Sequence, residues 1–149
     1  MRTMTTLAAI LGLGAALTLG ASADETVTPM VEKASKLDVK KVCDVKANGL
    51  EKVLAVAEEY NPEAVKLGVE FKRLGITNSK YIKALKEAVK NKEKKVTVEY
   101  KSKGKMKKKT FATDYLDWRA CTFAVRSLQQ VKEAQETYRK AIPGDGYKF

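Results

Sequence analysis

The spacing of the apolar residues changes along this chain, and that change limits the folds it can adopt. Over most of residues 29–89 and 113–142 apolar residues recur every three or four positions, which is the period of an amphipathic helix. Between residues 95 and 101 they alternate with polar residues, which is the period of a strand with one buried face. We therefore predict a mainly α fold: a small helical bundle with one inserted Lys-rich β-hairpin at about 94–111, before a long C-terminal helix.

Capping signals predict where the helices begin and end. Thr28 precedes Pro29, a favoured pair at a helix start, and Asn48-Gly49 interrupts the pattern, so one or two helices are expected between 29 and 60. Asn61-Pro62-Glu63 predicts a new helix that ends at Gly75. The following helix is predicted to begin at Thr77 or Asn78. The last helix is predicted to begin at Thr113 and to end at Pro143-Gly144.

The register of the hairpin is predicted by a turn with Lys103-Gly104 at its tip. This turn sets the cross-strand partners, which are Val96 with Phe111, Thr97 with Thr110 and Glu99 with Lys108.

The first 23 residues resemble a secretory signal peptide. Arg2 precedes an apolar run of 14 residues, and Ala21-Ser22-Ala23 provides the small residues at which a signal peptidase cleaves. The run is short for a membrane span, although an uncleaved N-terminal anchor is the alternative. Cleavage before Asp24 leaves one domain, residues 24–149, with no second long apolar run. We expect a periplasmic or secreted protein.

The two cysteines of the mature chain are consistent with export. An even number of cysteines in an exported protein predicts a disulfide, here Cys43–Cys121, which closes a loop of 77 residues. The alternative is a pair of buried thiols that behave as small apolar side chains. No Cys-x-x-Cys motif is present.

Positive charge is concentrated in the hairpin. The whole chain carries a net charge of +11, and residues 90–109 contain ten lysines against Glu93 and Glu99. The candidate binding residues are the lysines of the hairpin and its base: Lys94, Lys95, Lys101, Lys103, Lys105, Lys107, Lys108 and Lys109. Because the predicted second strand has lysines on both faces, we expect it to project into solvent and to attract polyanions.

Another interpretation of the hairpin lysines stays open. Lysines protect the exposed edges of strands against aggregation without binding any ligand.

The hairpin does not have the features of a sequence-specific nucleic-acid binding site. These residues include no arginine, and lysine lacks the planar guanidinium group that forms paired hydrogen bonds with bases. Nearby aromatic residues can stack on sugars or bases, but Phe111 and Trp118 are expected to be core residues.

Few features indicate catalysis. The chain has no histidine, which removes the commonest general base and metal ligand. Glu58, Glu59 and Glu63 are expected to form a solvated acidic helix end, and Asp114 and Asp117 a capped, ion-paired helix start. We predict no catalytic site, no metal and no cofactor.

The sequence thus favours a small, exported basic binding protein that contacts an anionic envelope component, such as a polymer or a lipid headgroup, or an acidic protein through its hairpin. The alternatives are an inhibitor or immunity-type protein, an accessory subunit of a periplasmic complex, and, with least support, a carboxylate-based hydrolase.

Overall fold

Helices form most of residues 27–141, the part of the chain that this computed structural model describes. In chain order the elements are α1 (Pro29–Ser35), α2 (Val39–Val42), α3 (Val45–Asn48), α4 (Leu50–Lys66), β1 (Lys72–Arg73), β2 (Ile76–Thr77), α5 (Asn78–Lys90), β3 (Lys95–Ser102), β4 (Lys105–Ala112) and α6 (Thr113–Ala141). The predicted mainly α fold with an inserted hairpin is confirmed. The predicted signal peptide and the tail after Ala141 lie outside the described residues.

Helix α6 runs through the centre of the fold. It packs against α1, α4 and α5 and against both strands of the β3–β4 hairpin. Its buried apolar residues follow the helical period, as the sequence predicts: Leu116, Ala120, Cys121, Ala124, Val125 and Leu128. Farther along, the Gln129 amide donates to the carbonyl oxygens of Ala34 and Leu37, which fixes the C-terminal end of α1. Within residues 27–141, no helix is long and apolar enough to cross a membrane.

The disulfide between Cys43 and Cys121 is present. Both residues are fully buried, and their Cα atoms lie 5.6 Å apart, within the usual range for a disulfide. The bond joins the end of α2 to the first third of α6 across 78 positions of sequence. It therefore ties the short N-terminal helices to the central helix.

The N-terminal segment is divided into more helices than the sequence predicts. Thr28 caps α1 as expected, accepting a hydrogen bond from Val31 N. Asp38 and Asp44 cap two further short helices, α2 and α3, through the backbone amides that follow them. Gly49, at φ +83°, ends α3 and begins α4, which confirms the break at Asn48-Gly49.

The predicted restart at Asn61-Pro62-Glu63 is wrong, because α4 continues through it to Lys66. Asn61 is buried and does not cap a helix. Its amide donates to Glu70 Oε1 and Ser79 Oγ, and its carbonyl oxygen accepts from the Asn78 amide. This polar network links α4 to α5, and packing of the buried face of α4 outweighs the proline penalty of about 3 kcal/mol.

Residues 67–77 form a loop that contains a short hairpin, in which each strand is two residues long. The sequence predicts a helix up to Gly75 instead. Leu67 is the C-cap of α4, and β1 then pairs antiparallel with β2. Gly68 and Gly75 both have positive φ, and Gly75 approaches the Lys101 carbonyl oxygen of β3 so closely that an added Cβ would lie 3.4 Å from it. Helix α5 begins immediately after β2, with Thr77 as its N-cap.

The disulfide yields a stability prediction. Replacing both cysteines, as Cys43→Ala/Cys121→Ala, should lower the free energy of unfolding by about 4 kcal/mol, because the unfolded chain regains the freedom of a long loop. We expect the melting temperature to fall by about 10 °C or more in a thermal scan. A loss below about 1 kcal/mol, or two labelled thiols in the unreduced, denatured protein, would contradict the assignment.

Candidate anion-binding surface

The strand register distributes the lysines over both faces of the hairpin. Val96 pairs with Phe111, Thr97 with Thr110 and Glu99 with Lys108, so the predicted register is confirmed. Lys105, Lys107 and Lys109 share the face that carries Val96, Val98 and Phe111, because alternate residues of a strand point the same way. Lys101 and Lys108 lie on the opposite face.

Only the base of the hairpin is buried. Val96, Val98 and Phe111 are in the core, and Phe111 meets the Tyr81 ring edge-on at 5.7 Å. Thr113 fixes this base: its backbone N–H donates to the Lys94 carbonyl, and its hydroxyl donates to the Glu93 carbonyl at 2.6 Å. The distal residues, from Glu99 through Thr110, are exposed or half-buried.

The turn also follows the prediction. Lys103 and Gly104 at the tip both have positive φ, as a two-residue hairpin turn requires. The turn and the strand residues that follow it, from Lys103 to Thr110, are exposed to solvent.

Most hairpin lysines have no carboxylate partner. In the described part of the chain, one ion pair forms on the hairpin, between Lys108 Nζ and Glu99 Oε1 at 2.7 Å, and this hydrogen bond raises the pKa of Lys108. Lys109 Nζ lies 5.4 Å from the centre of the Phe111 ring, a cation–π distance. Every lysine of the candidate set on the two strands is exposed: Lys95, Lys101, Lys105, Lys107, Lys108 and Lys109.

An aromatic row continues from the hairpin onto α6. The Phe111 and Tyr115 rings are stacked with centroids 6.5 Å apart, and the Tyr115 and Trp118 centroids are 5.8 Å apart. Phe111 is buried, as expected. Trp118 is 45% exposed, so the expectation that it is a core residue is wrong. The side chain points away from the buried stripe of Leu116, Ala120 and Ala124 because it lies on a different face of α6.

The predicted ion-paired start of α6 is also wrong for Asp117. Asp114 is exposed, and its carboxylate accepts from Tyr115 N. Asp117 is fully buried, and neither carboxylate oxygen has a hydrogen-bond partner within residues 27–141. Burial without a compensating partner disfavours the charged form and raises the pKa of Asp117 to about 7.

A second buried charge, Arg119, lies two residues further along α6. It is 6% exposed, and its guanidinium lies 5.6 Å from the Tyr81 ring centre and 5.1 Å from that of Phe123. Its Nε and Nη2 atoms have no hydrogen-bond partner in the described part of the chain. Burial raises the pKa of Tyr81, and the charges of Arg119 and Arg73 partly oppose that change. The sequence pattern did not reveal these buried charges.

The acidic cluster of α4 is divided among separate lysines. Glu58 pairs with Lys86 at 2.7 Å, Glu59 pairs with Lys33, and Glu63 lies 3.9 Å from Lys66. These acids therefore occupy three ion pairs and do not converge on one point. No group of three His, Cys, Asp or Glu residues within residues 27–141 is arranged to hold a metal ion.

Comparisons with other proteins do not add to this description. No protein-family model, curated protein sequence or solved structure matches this chain significantly. The functional argument therefore depends on the chain's own geometry and charge.

Asp117 gives a pH-dependent prediction. The folded protein keeps this proton up to about pH 7, whereas the unfolded chain loses it near 3.8, so the contribution of Asp117 to stability decreases as the pH rises between these values. Asp117→Asn cannot lose this proton, so its free energy of unfolding lacks this pH dependence. The variant should therefore gain stability relative to the wild type, by on the order of 4 kcal/mol between pH 4 and pH 7, and the difference should then level off.

Denaturant unfolding at several pH values measures this difference. The control is Glu87→Gln, at an exposed position on α5, whose difference from the wild type should change little with pH. An Asp117→Asn difference that stays flat over the same range would show that the carboxyl group is ionised in the folded protein.

Proposed function

We propose that this chain is an exported binding protein that contacts an anionic partner through the β3–β4 hairpin. The observation that carries the proposal is the position of the lysines, which are grouped on an exposed hairpin and, apart from Lys108, lack a carboxylate partner among the described residues. Such a field raises the local concentration of an anionic partner and accelerates its association.

The lysines lie on both faces of the hairpin. Lys105 and Lys107 lie on the same face as the buried Val96 and Phe111, beyond the point at which the core ends. Charges on this inward face also protect strand edges from pairing. They extend the exposed positive surface over both faces of the hairpin, and this extended surface supports binding of an anionic partner.

The chemistry of the lysines supports diffuse electrostatic contact. Lysine is a hydrated point charge on a flexible stem, and ten lysines with no arginine occur in residues 90–109. A polymer with repeated negative charges satisfies such a surface without a fixed geometry. An acidic protein bound by an inhibitor or an accessory subunit would use the same surface. The carboxylate-based hydrolase has no support among residues 27–141, where the glutamates of α4 are separated by their lysine partners.

A pair of matched charge variants tests the proposal. In the hairpin variant, Lys101, Lys103, Lys105 and Lys107 become Gln; in the control, the exposed helical lysines Lys36, Lys52, Lys80 and Lys83 become Gln. Both variants lose the same net charge. The probe is dextran sulfate, with association rates measured by surface plasmon resonance at several salt concentrations.

We expect the hairpin variant to associate at least about 10-fold more slowly than the wild type, and the control within about 3-fold of it. The wild-type rate should decrease steeply with salt because exposed charges are screened. Folding should change by less than about 0.5 kcal/mol per site. If the association rate decreases equally in the two variants, total charge alone determines binding, and this result would contradict a binding surface on the hairpin.

A further inference from the structure

A hollow of about 430 Å³ lies beside the exposed aromatic residues at the start of α6. Tyr115 and Trp118, 46% and 45% exposed, form one side of it. The short helices α2 and α3 form the other side and contribute Lys40, Asp44 and Lys46. The Cys43–Cys121 disulfide joins these same two parts of the chain, so the walls of the hollow are covalently connected.

The polar groups of the hollow combine cations with hydrogen-bond acceptors. Lys40 and Lys46 are exposed and have no carboxylate partner among the described residues. Asp44 Oδ1 accepts from two backbone amides of α3, and Asp114 Oδ1 accepts from Tyr115 N. A carboxylate has two acceptor oxygens, and the Oδ2 atoms of Asp44 and Asp114 accept no hydrogen bond from the residues that the structure describes.

Aromatic faces, carboxylate acceptors and ammonium donors together suit a sugar ring. The C–H faces of a sugar pack on aromatic rings, its hydroxyls donate to carboxylates, and an acidic substituent is neutralised by lysine. The volume is in the range of small-ligand pockets and is sufficient for one ring.

A row of contacting side chains, which includes the buried Phe111, connects the hollow with the hairpin. Trp118 contacts Tyr115, Tyr115 stacks on Phe111, and Lys109 lies over the Phe111 ring, so one row of side chains leads from the hollow to the hairpin lysines. A bound chain that leaves the hollow along this row passes onto Lys107 and Lys105, which share the face of Lys109. A single extended polymer can therefore contact both regions.

We propose that the hollow binds one sugar ring of an anionic polysaccharide, whose further acidic groups lie along the lysines of the β3–β4 hairpin. This inference rests on the proposed function and narrows the anionic partner to a glycan. Trp118 and Tyr115 provide the stacking surface. Lys40 and Lys46 bind an acidic substituent, and Asp44 and Asp114 accept from hydroxyls.

The chain has a single tryptophan, so all of its tryptophan fluorescence comes from Trp118, which lines the hollow and also a neighbouring cleft beside Leu37 and Arg126. The substitutions at Tyr115, which lines only the hollow of these two, distinguish the hollow from that cleft. Three probes separate the contributions: dextran sulfate supplies charge and sugar rings, poly-L-glutamate supplies charge without sugar, and unmodified dextran supplies sugar without charge. We expect dextran sulfate to change the Trp118 emission saturably, and poly-L-glutamate to bind without a comparable change.

Substitutions measure the stacking contribution. By calorimetry, Tyr115→Ala and Trp118→Ala should each weaken dextran sulfate binding by about 3- to 10-fold and leave poly-L-glutamate binding within about 2-fold. Trp118→Phe, which keeps an aromatic face, should restore most of the affinity. Tyr138→Ala is the matched control, because Tyr138 is an exposed tyrosine on the same helix, well beyond the hollow.

The outcomes separate this inference from the proposed function. In one outcome, the hairpin lysine variant binds both polyanions more weakly than the wild type while Tyr115→Ala and Trp118→Ala bind both with unchanged affinity. This result supports the hairpin surface and shows that the proposed sugar site is wrong. If the aromatic variants weaken both polyanions equally, the surface recognises acidic polypeptide as well as glycan, and the sugar site is again wrong. Loss of dextran sulfate affinity restricted to the aromatic and hairpin variants supports both.

Discussion

The packing of α6 through the core is the interaction on which the rest of the structure depends. Its buried stripe contacts α1, α4 and α5, and its first turn holds the base of the hairpin through Thr113. The disulfide from Cys121 to Cys43 then attaches α2 and α3, which are too short to be stable helices by themselves. The same helix presents Tyr115 and Trp118 outward, so one element organises both the core and the candidate surface.

The separation of charge from the core follows from this arrangement. The strands are buried at Val96, Val98 and Phe111, and Tyr100 is half-buried against the core. The hairpin lysines are solvated, whereas Asp117 and Arg119 are buried on α6, and each has side-chain polar atoms without a hydrogen-bond partner among the described residues. Positive charge is therefore concentrated where it is accessible to a partner.

Periodicity and capping predicted much of the fold. The hairpin register followed from alternation and from the Lys103-Gly104 turn, and the disulfide followed from the even cysteine count together with the predicted export. The predicted helix start at Asn61-Pro62 is wrong because Asn61 forms tertiary hydrogen bonds with Asn78 and Glu70 from within α4. Such contacts between distant parts of the chain cannot be predicted from a local sequence pattern. Burial of Asp117 and exposure of Trp118 were missed for the same reason, since they depend on which face of α6 meets its neighbours.

The proposed contact with an anionic polymer involves a surface that extends from the hairpin tip to Trp118. A ¹⁵N–¹H NMR titration with dextran sulfate, which follows the amide and indole chemical shifts, maps this surface. We expect the largest changes at residues 101–109 and 115–118 and at the Trp118 indole N–H, while the exposed faces of α4 and α5 stay unchanged. Changes confined to α4 and α5, with the hairpin and Trp118 unaffected, would contradict the proposed contact.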